Sequence, residues 1–201
     1  MSEKYSDLIH GFIQSEIDAV QEIDNNVDEN YDSVIDTLLN MDGKLIFMGV
    51  GKSGLIGRKL AATFSSTGTP SFFVHATESV HGDLGMIQKN DTVILISNSG
   101  ETKEILAPIP SLKRIGTKLI AFTGKETSSL AQQCDQTLVI PIDHEADNLN
   151  LAPTNSSTGV LVVGDAIACT LSELKGFTKE NFATFHPGGA LGKKLLKSQS
   201  V

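Results

Sequence analysis

Three stretches of this sequence gather residue types that can hold an anion or move a proton. The first, Gly49-Val50-Gly51-Lys52-Ser53-Gly54, spaces its glycines as G-x-G-x-x-G, directly after a short apolar run and ahead of a helical pattern. That spacing resembles a dinucleotide fingerprint, yet the next apolar run ends in His75-Ala76 and supplies no acidic residue for a ribose hydroxyl. A phosphate loop ending in Gly-Lys-Ser would need its opening glycine at position 46, which is Ile46. What the stretch does offer is a tight turn at Gly51 feeding a helix N-terminus, with free N–H groups, a positive dipole, and Lys52 and Ser53 at its mouth. The second stretch, Ser97-Asn98-Ser99-Gly100-Glu101-Thr102, repeats the arrangement after another apolar run. One hydroxyl at Ser99 or Thr102 would serve as a helix cap. Four polar side chains, Ser97, Asn98, Ser99 and Thr102, exceed that need and are expected to cradle a single phosphate.

The third stretch, PIDHEADNLNLAPTNSST, places Glu145 in a loop ahead of a helix start at 154–157. His186-Pro187-Gly188-Gly189 is an unusual tetrapeptide for a surface tail, because its glycines let backbone approach something closely. Of five histidines, His75 and His81 could with Asp83 hold zinc by residue type, but no paired spacing supports a metal site. Asp165 stands inside a long apolar helical stretch and is expected to be a buried, hydrogen-bonded polar group.

These groups need a scaffold that brings distant loops together. Short continuous apolar runs at 44–50, 71–74, 92–97, 118–122 and 136–140 have the character of parallel strands buried on both faces. Helical patterns fall at 53–66, 102–114, 128–133 and 156–174, with two more ahead of the strands at 3–23 and 29–41 and a short one after Thr178. The segment between Phe73 and Thr92 lacks such a pattern and reads as a loop. Strands alternating with helices predict an α/β fold, a doubly wound five-stranded parallel sheet in a three-layer αβα sandwich. With no linker or repeat, residues 1–201 are expected to form a single domain: N-terminal helices over 3–41, an αβα core over 44–175 and a tail over 176–201 that reaches the site.

Taken in order, GVGKSG, IGRKLAATFSSTGTPSFFVHATES, HGDLG, ISNSGET, EADNLNLAPTNSST and FHPGGALGKKLL resemble the sugar isomerase (SIS) family, and within it the arabinose-5-phosphate isomerases of the lipopolysaccharide and capsule pathways. The resemblance implies interconversion of D-ribulose 5-phosphate and D-arabinose 5-phosphate, the first step toward Kdo, without cofactor or metal. It implies a homotetramer with active sites between subunits. Matched motif by motif, it assigns catalysis to Lys52, Glu104, Glu145 and His186, phosphate binding to Ser97, Ser99 and Thr102, and a place near the sugar to Ser53. His81 matches a pocket-lining histidine. Glu145 is the expected proton-shuttling base, and Glu104 is expected near the ligand, orienting Lys52. Two departures stand out. Asp147-Asn148 occupies the place of a Cys-Pro pair in many members, and longer members append CBS domains after the segment where this sequence stops.

Composition narrows the alternatives. The 201 residues carry 24 Asp plus Glu against 16 Lys plus Arg, a formal net charge of −8, which disfavours a nucleic-acid or anionic-membrane surface. The N-terminus has no basic region followed by an apolar run, so no signal peptide is expected, and a cytoplasmic location follows. Cys134 and Cys169 lie in apolar stretches and are expected to be buried, reduced thiols. Two other functions remain open at this point: an isomerase of another phosphosugar, or a non-catalytic phosphosugar-binding protein that would need neither Glu145 nor His186.

Overall fold

The computed structural model describes residues 4–188. The five apolar runs form one parallel sheet from β1 (Leu45–Gly49), β2 (Ser71–His75), β3 (Thr92–Ile96), β4 (Lys118–Thr123) and β5 (Gln136–Val139). Their order across the sheet is β2-β1-β3-β4-β5, with Leu45 in register with both Ser71 and Thr92, and Ile120 with Gln136. The chain therefore winds outward in one direction from β1 and then in the other from β3.

Because successive strand residues point to opposite faces, the continuous apolar runs feed two cores. Leu45, Phe47, Ile94, Ile96 and Phe122 point to one face. There they meet α1 (Tyr5–Asn25), α2 (Glu29–Leu39), α3 (Gly51–Ser66) and α8 (Asn155–Leu174). Ile46, Met48, Val93, Leu95 and Ala121 point to the other face. That side is covered by α4 (Ala76–Ser79), α5 (Lys103–Leu106), α6 (Ile109–Ile115) and α7 (Ser129–Gln133). A ninth helix, α9 (Lys179–Phe185), follows and is opened by a Thr178–Asn181 capping box. The result is the three-layer αβα sandwich expected. Truncating a fully buried side chain such as Phe47 or Phe64 to alanine would cost roughly 3–5 kcal/mol.

α8 is long and apolar enough by length and composition to cross a membrane. Here it packs on α3, α1 and α2, and Val163, Ile167, Ala168 and Leu171 are buried against them. That burial follows the 3.6-residue period, and it corrects two expectations about the same helix. Cys169 falls outside the buried stripe and is exposed, whereas Cys134 is partly buried and its thiol is pushed up to about 12, chiefly by burial. Asp165 is not a buried polar group. Its side chain is 38% exposed and forms an ion pair with Lys59 of α3.

Two further differences come from local chemistry. The helix expected over 102–114 is split into α5 and α6, since Pro108 and Pro110 each lack the N–H that a continuous helix would use. The segment from 73 to 92 contains α4 and a 3-10 turn at Asp83–Met86, both too short to leave a periodic signal.

Candidate active site

The β1 and β3 connections leave the sheet in different directions, so their loops part at its carboxyl edge and open a crevice between them. After β1, Gly51 takes φ +57°, a left-handed conformation that suits glycine, and opens α3 with Lys52 and Ser53 in its first turn. After β3 the chain makes a turn knitted by its own hydroxyls. Ser97 Oγ accepts from the Gly100 N–H at 3.1 Å and pairs with Thr102 Oγ1 at 2.9 Å, while Ser99 Oγ accepts from the Glu101 N–H at 3.2 Å. Thr102 is the N-cap of α5 but makes no side-chain cap, its hydroxyl being turned to Ser97. Glu101 does not serve its own helix either. Its Oε1 accepts from the Ser129 N–H at 2.8 Å, which holds its carboxyl below the ordinary carboxylate range.

Gly100 shows why this turn cannot vary freely. It sits at φ +67°, and a Cβ there would lie 2.2 Å from Ser128 Oγ and 2.9 Å from Thr123 Oγ1. Backbone bonds from Leu130 N–H to Gly100 O (3.0 Å) and from Gly124 N–H to Asn98 O (2.9 Å) fix the turn to the neighbouring loop.

Glu145 arrives from the far side of the sheet, on the segment joining β5 to α8. Its Oε2 accepts three hydrogen bonds at the start of α8: Thr154 N–H at 2.7 Å, Thr154 Oγ1 at 3.1 Å and Ser156 N–H at 3.1 Å. Partial burial pushes its carboxyl up. The hydrogen bonds from Ser156 and Thr154 outweigh that effect, so the group stays below its ordinary value and is ionised at neutral pH. The same loop is tied to α1 through Asn155, 1% exposed, whose Nδ2 donates to Ser15 Oγ at 2.9 Å and to the His144 carbonyl at 3.0 Å.

The three loops enclose a cavity of about 410 Å³. Ser53, Ser97, Asn98, Ser99, Thr102 and Glu145 all line it. A small cleft beside it shares Ser53 and Asn98 and includes Lys52. Six of the expected binding and catalytic residues thus share one cavity, and Lys52 borders it. Gly51, expected to contact substrate, and Glu104, His81 and His186 do not line either space. Glu104 is exposed on α5, His81 is exposed beyond α4, and His186 caps α9 with Nδ1 2.9 Å from the Phe182 carbonyl and its ring stacked on Phe182. The glycine-rich segment after Gly188 lies outside the described residues.

His144, Asp143, Asn150 and Ser156 also line the cavity and carry no sequence signal of their own beyond proximity to Glu145. Among the described residues, no three His, Cys, Asp or Glu side chains are grouped to hold a metal ion. A larger space of about 890 Å³ lies elsewhere, as a groove between α1, α2 and α8 lined by Ile13, Ile17, Val20, Tyr31, Val162 and other side chains. Its lining adds Glu16, Gln21, Asp24 and Asp32 but no lysine, arginine or histidine, which suits a phosphosugar poorly.

The profile of the SIS domain matches residues 38–169. The chain belongs to the SIS domain family. Arabinose 5-phosphate isomerase KdsD of Escherichia coli K12 is 52% identical over 181 residues, and that of Pseudomonas aeruginosa PAO1 is 48% identical over 193, covering 90% and 94% of this chain. The chain spans a little over half the length of these curated relatives, 55% and 59%. Among solved structures, E. coli CFT073 c3406 in complex with arabinose 5-phosphate superposes with a TM-score of 0.89 at 58% identity, covering 92% of this chain and all of that one. A putative phosphosugar isomerase involved in capsule formation from Bacteroides fragilis superposes with a TM-score of 0.86 at 37% identity, covering 90% and 96%. This SIS domain therefore shares its fold with a protein solved in complex with arabinose 5-phosphate.

Proposed function

We propose that this SIS domain is an arabinose-5-phosphate isomerase, interconverting D-ribulose 5-phosphate and D-arabinose 5-phosphate at the head of Kdo synthesis in the cytoplasm. The observation that carries this reading is a single cavity joining a neutral hydroxyl cradle to a held, ionised glutamate. The similarity to KdsD proteins and to c3406 in complex with arabinose 5-phosphate supports it.

The chemistry assigns the two sides different tasks. Ser97, Ser99 and Thr102 suit the phosphate, since hydroxyls and turn N–H groups stabilise an anion without fixing it too tightly to leave. Isomerisation then transfers a proton between C1 and C2 and another between their oxygens, through an enediol. Glu145 is the base for the carbon-bound proton. Its Oε2 is anchored by three donors at the start of α8, which fixes the aim of the carboxylate. A low carboxylate pKa weakens a base thermodynamically but keeps it fully deprotonated. The developing enediolate needs positive charge beside it, which Lys52 at the rim supplies. His186 serves ring opening, and Glu104 orients Lys52.

His81, Glu104 and His186 lie outside the cavity of their own chain, which supports a site completed between subunits of a homotetramer. The apolar groove between α1, α2 and α8 suits the contact between copies, because Ile13 and Ile17 on α1 are each more than half exposed. The test is proton NMR of D-arabinose 5-phosphate with the protein in deuterated water and EDTA. Ribulose 5-phosphate should appear, with deuterium entering C2 of the aldose. Absence of both conversion and exchange, while another phosphosugar turns over or merely binds, overturns the assignment.

A further inference from the structure

The loop that carries Glu145 takes its shape from a second carboxylate that does not line the cavity. Asp147 Oδ1 accepts the N–H groups of Leu151 at 3.0 Å and Ala152 at 2.8 Å, and Oδ2 accepts that of Leu149 at 3.0 Å. Three backbone donors on one side chain wrap the chain around it, a strong arrangement because the acceptor is charged. Partial desolvation of Asp147 is outweighed by these N–H groups, so its carboxyl lies below the ordinary value. Inside the wrap, Asn150 adopts φ +53°, the one non-glycine residue with positive φ among those described. Asparagine tolerates this region better than most side chains. Its N–H donates to the Asp147 carbonyl at 2.9 Å, and its Oδ1 accepts from the Glu145 N–H at 2.7 Å. Asp147 thus bends the loop, and the bend turns Asn150 back onto the main chain of Glu145. The loop then delivers Leu151 and Pro153 to the cavity wall.

We propose that Asp147 is a positioning residue for Glu145, acting through Asn150. The proposal rests on the reading of Glu145 as the proton-moving base.

The experiment compares the full chain with D147N, N150G and N150D, measuring kcat and KM for D-arabinose 5-phosphate across pH. The amide introduced by D147N would keep one acceptor and place an NH₂ against the Leu149 donor. Its kcat should fall about 10- to 100-fold, the scale of a small misplacement of a reacting group, with KM within about threefold. N150G retains the backbone conformation but loses the acceptor, and its kcat should fall about tenfold. N150D restores the acceptor and should recover most of that loss. It also places a negative charge beside Glu145, so the acid limb of its kcat profile should move to higher pH. Unaltered kcat in D147N and N150G, with only a lower melting temperature, overturns the proposal.

Carbon-13 titration of the Glu145 carboxyl separates this proposal from the function itself. In N150G, which leaves the charge near Glu145 unchanged, the Glu145 pKa should rise toward 4.5 whether or not arabinose 5-phosphate is the substrate. A Glu145 titration identical to that of the unsubstituted chain also overturns it. If the unsubstituted chain neither converts nor exchanges the sugar phosphate while N150G shows the expected pKa shift, the isomerase reading is rejected and the positioning role stands.

Discussion

The turn after β3 and the segment between β5 and α8 wall the same cavity but are stiffened by opposite means. The β3 turn is short, and its neutral hydroxyls bond to groups no more than five residues away. Its glycine leaves no room for any side chain. The other segment is long, and its shape comes from two carboxylates that each collect several N–H donors from residues further along the chain. A neutral, close-packed turn suits a ligand handle that must bind and leave. Charged anchoring suits a group that must stay ionised and aimed while protons pass.

On that division of labour, Glu145→Gln should abolish most turnover, lowering kcat about 10³-fold with KM little changed. A comparable rise in KM would instead make Glu145 a binding group and break the contrast. Gly100→Ala should destabilise the chain strongly. It forces a Cβ onto Ser128 at φ +67° and should cost about 2–5 kcal/mol, read as a drop in melting temperature. Ser99→Ala should raise KM about tenfold at nearly constant kcat, the cost of one hydrogen bond to a charged ligand.

The smallest effect is a pH signature. The Glu145 carboxyl is depressed below 4.5, so its stabilising contribution is complete above 4.5 and fades as pH falls through the folded value. The difference in melting temperature between the unsubstituted chain and Glu145→Gln should therefore be constant from about pH 6 to 8 and shrink below 4.5.

The sheet is legible in the sequence because each strand is a short apolar run bounded by glycine or polar residues, and burial on both faces demands that pattern. The cradle is legible for a similar reason, since its hydroxyls lie close together in the chain. The break between α5 and α6 is signalled by Pro108 and Pro110, but the apolar period around them conceals it. The three-donor grip on Glu145 is not legible. Thr154 and Ser156 look like ordinary helix-start residues, and nothing in their spacing says that their donors reach back to position 145. The three N–H groups gathered by Asp147 are not legible either, since they depend on a backbone path that no periodicity encodes. The exposure of Cys169 and Asp165 is recoverable from the phase of α8. Composition alone obscures it.

Asn155 joins these regions in one further respect. α1 buries only Ile23 of its own residues, so its contacts with α8 and the loop before it should open more readily than the sheet. One of those contacts is the buried Asn155 amide, which grips Ser15 of α1 and the His144 carbonyl at once. Local opening of α1 removes Ser15 from Asn155 and from His144 Nε2, 3.4 Å away, so the breathing of a peripheral helix is felt one residue ahead of Glu145. A contact that holds α1 in place keeps both of those bonds made.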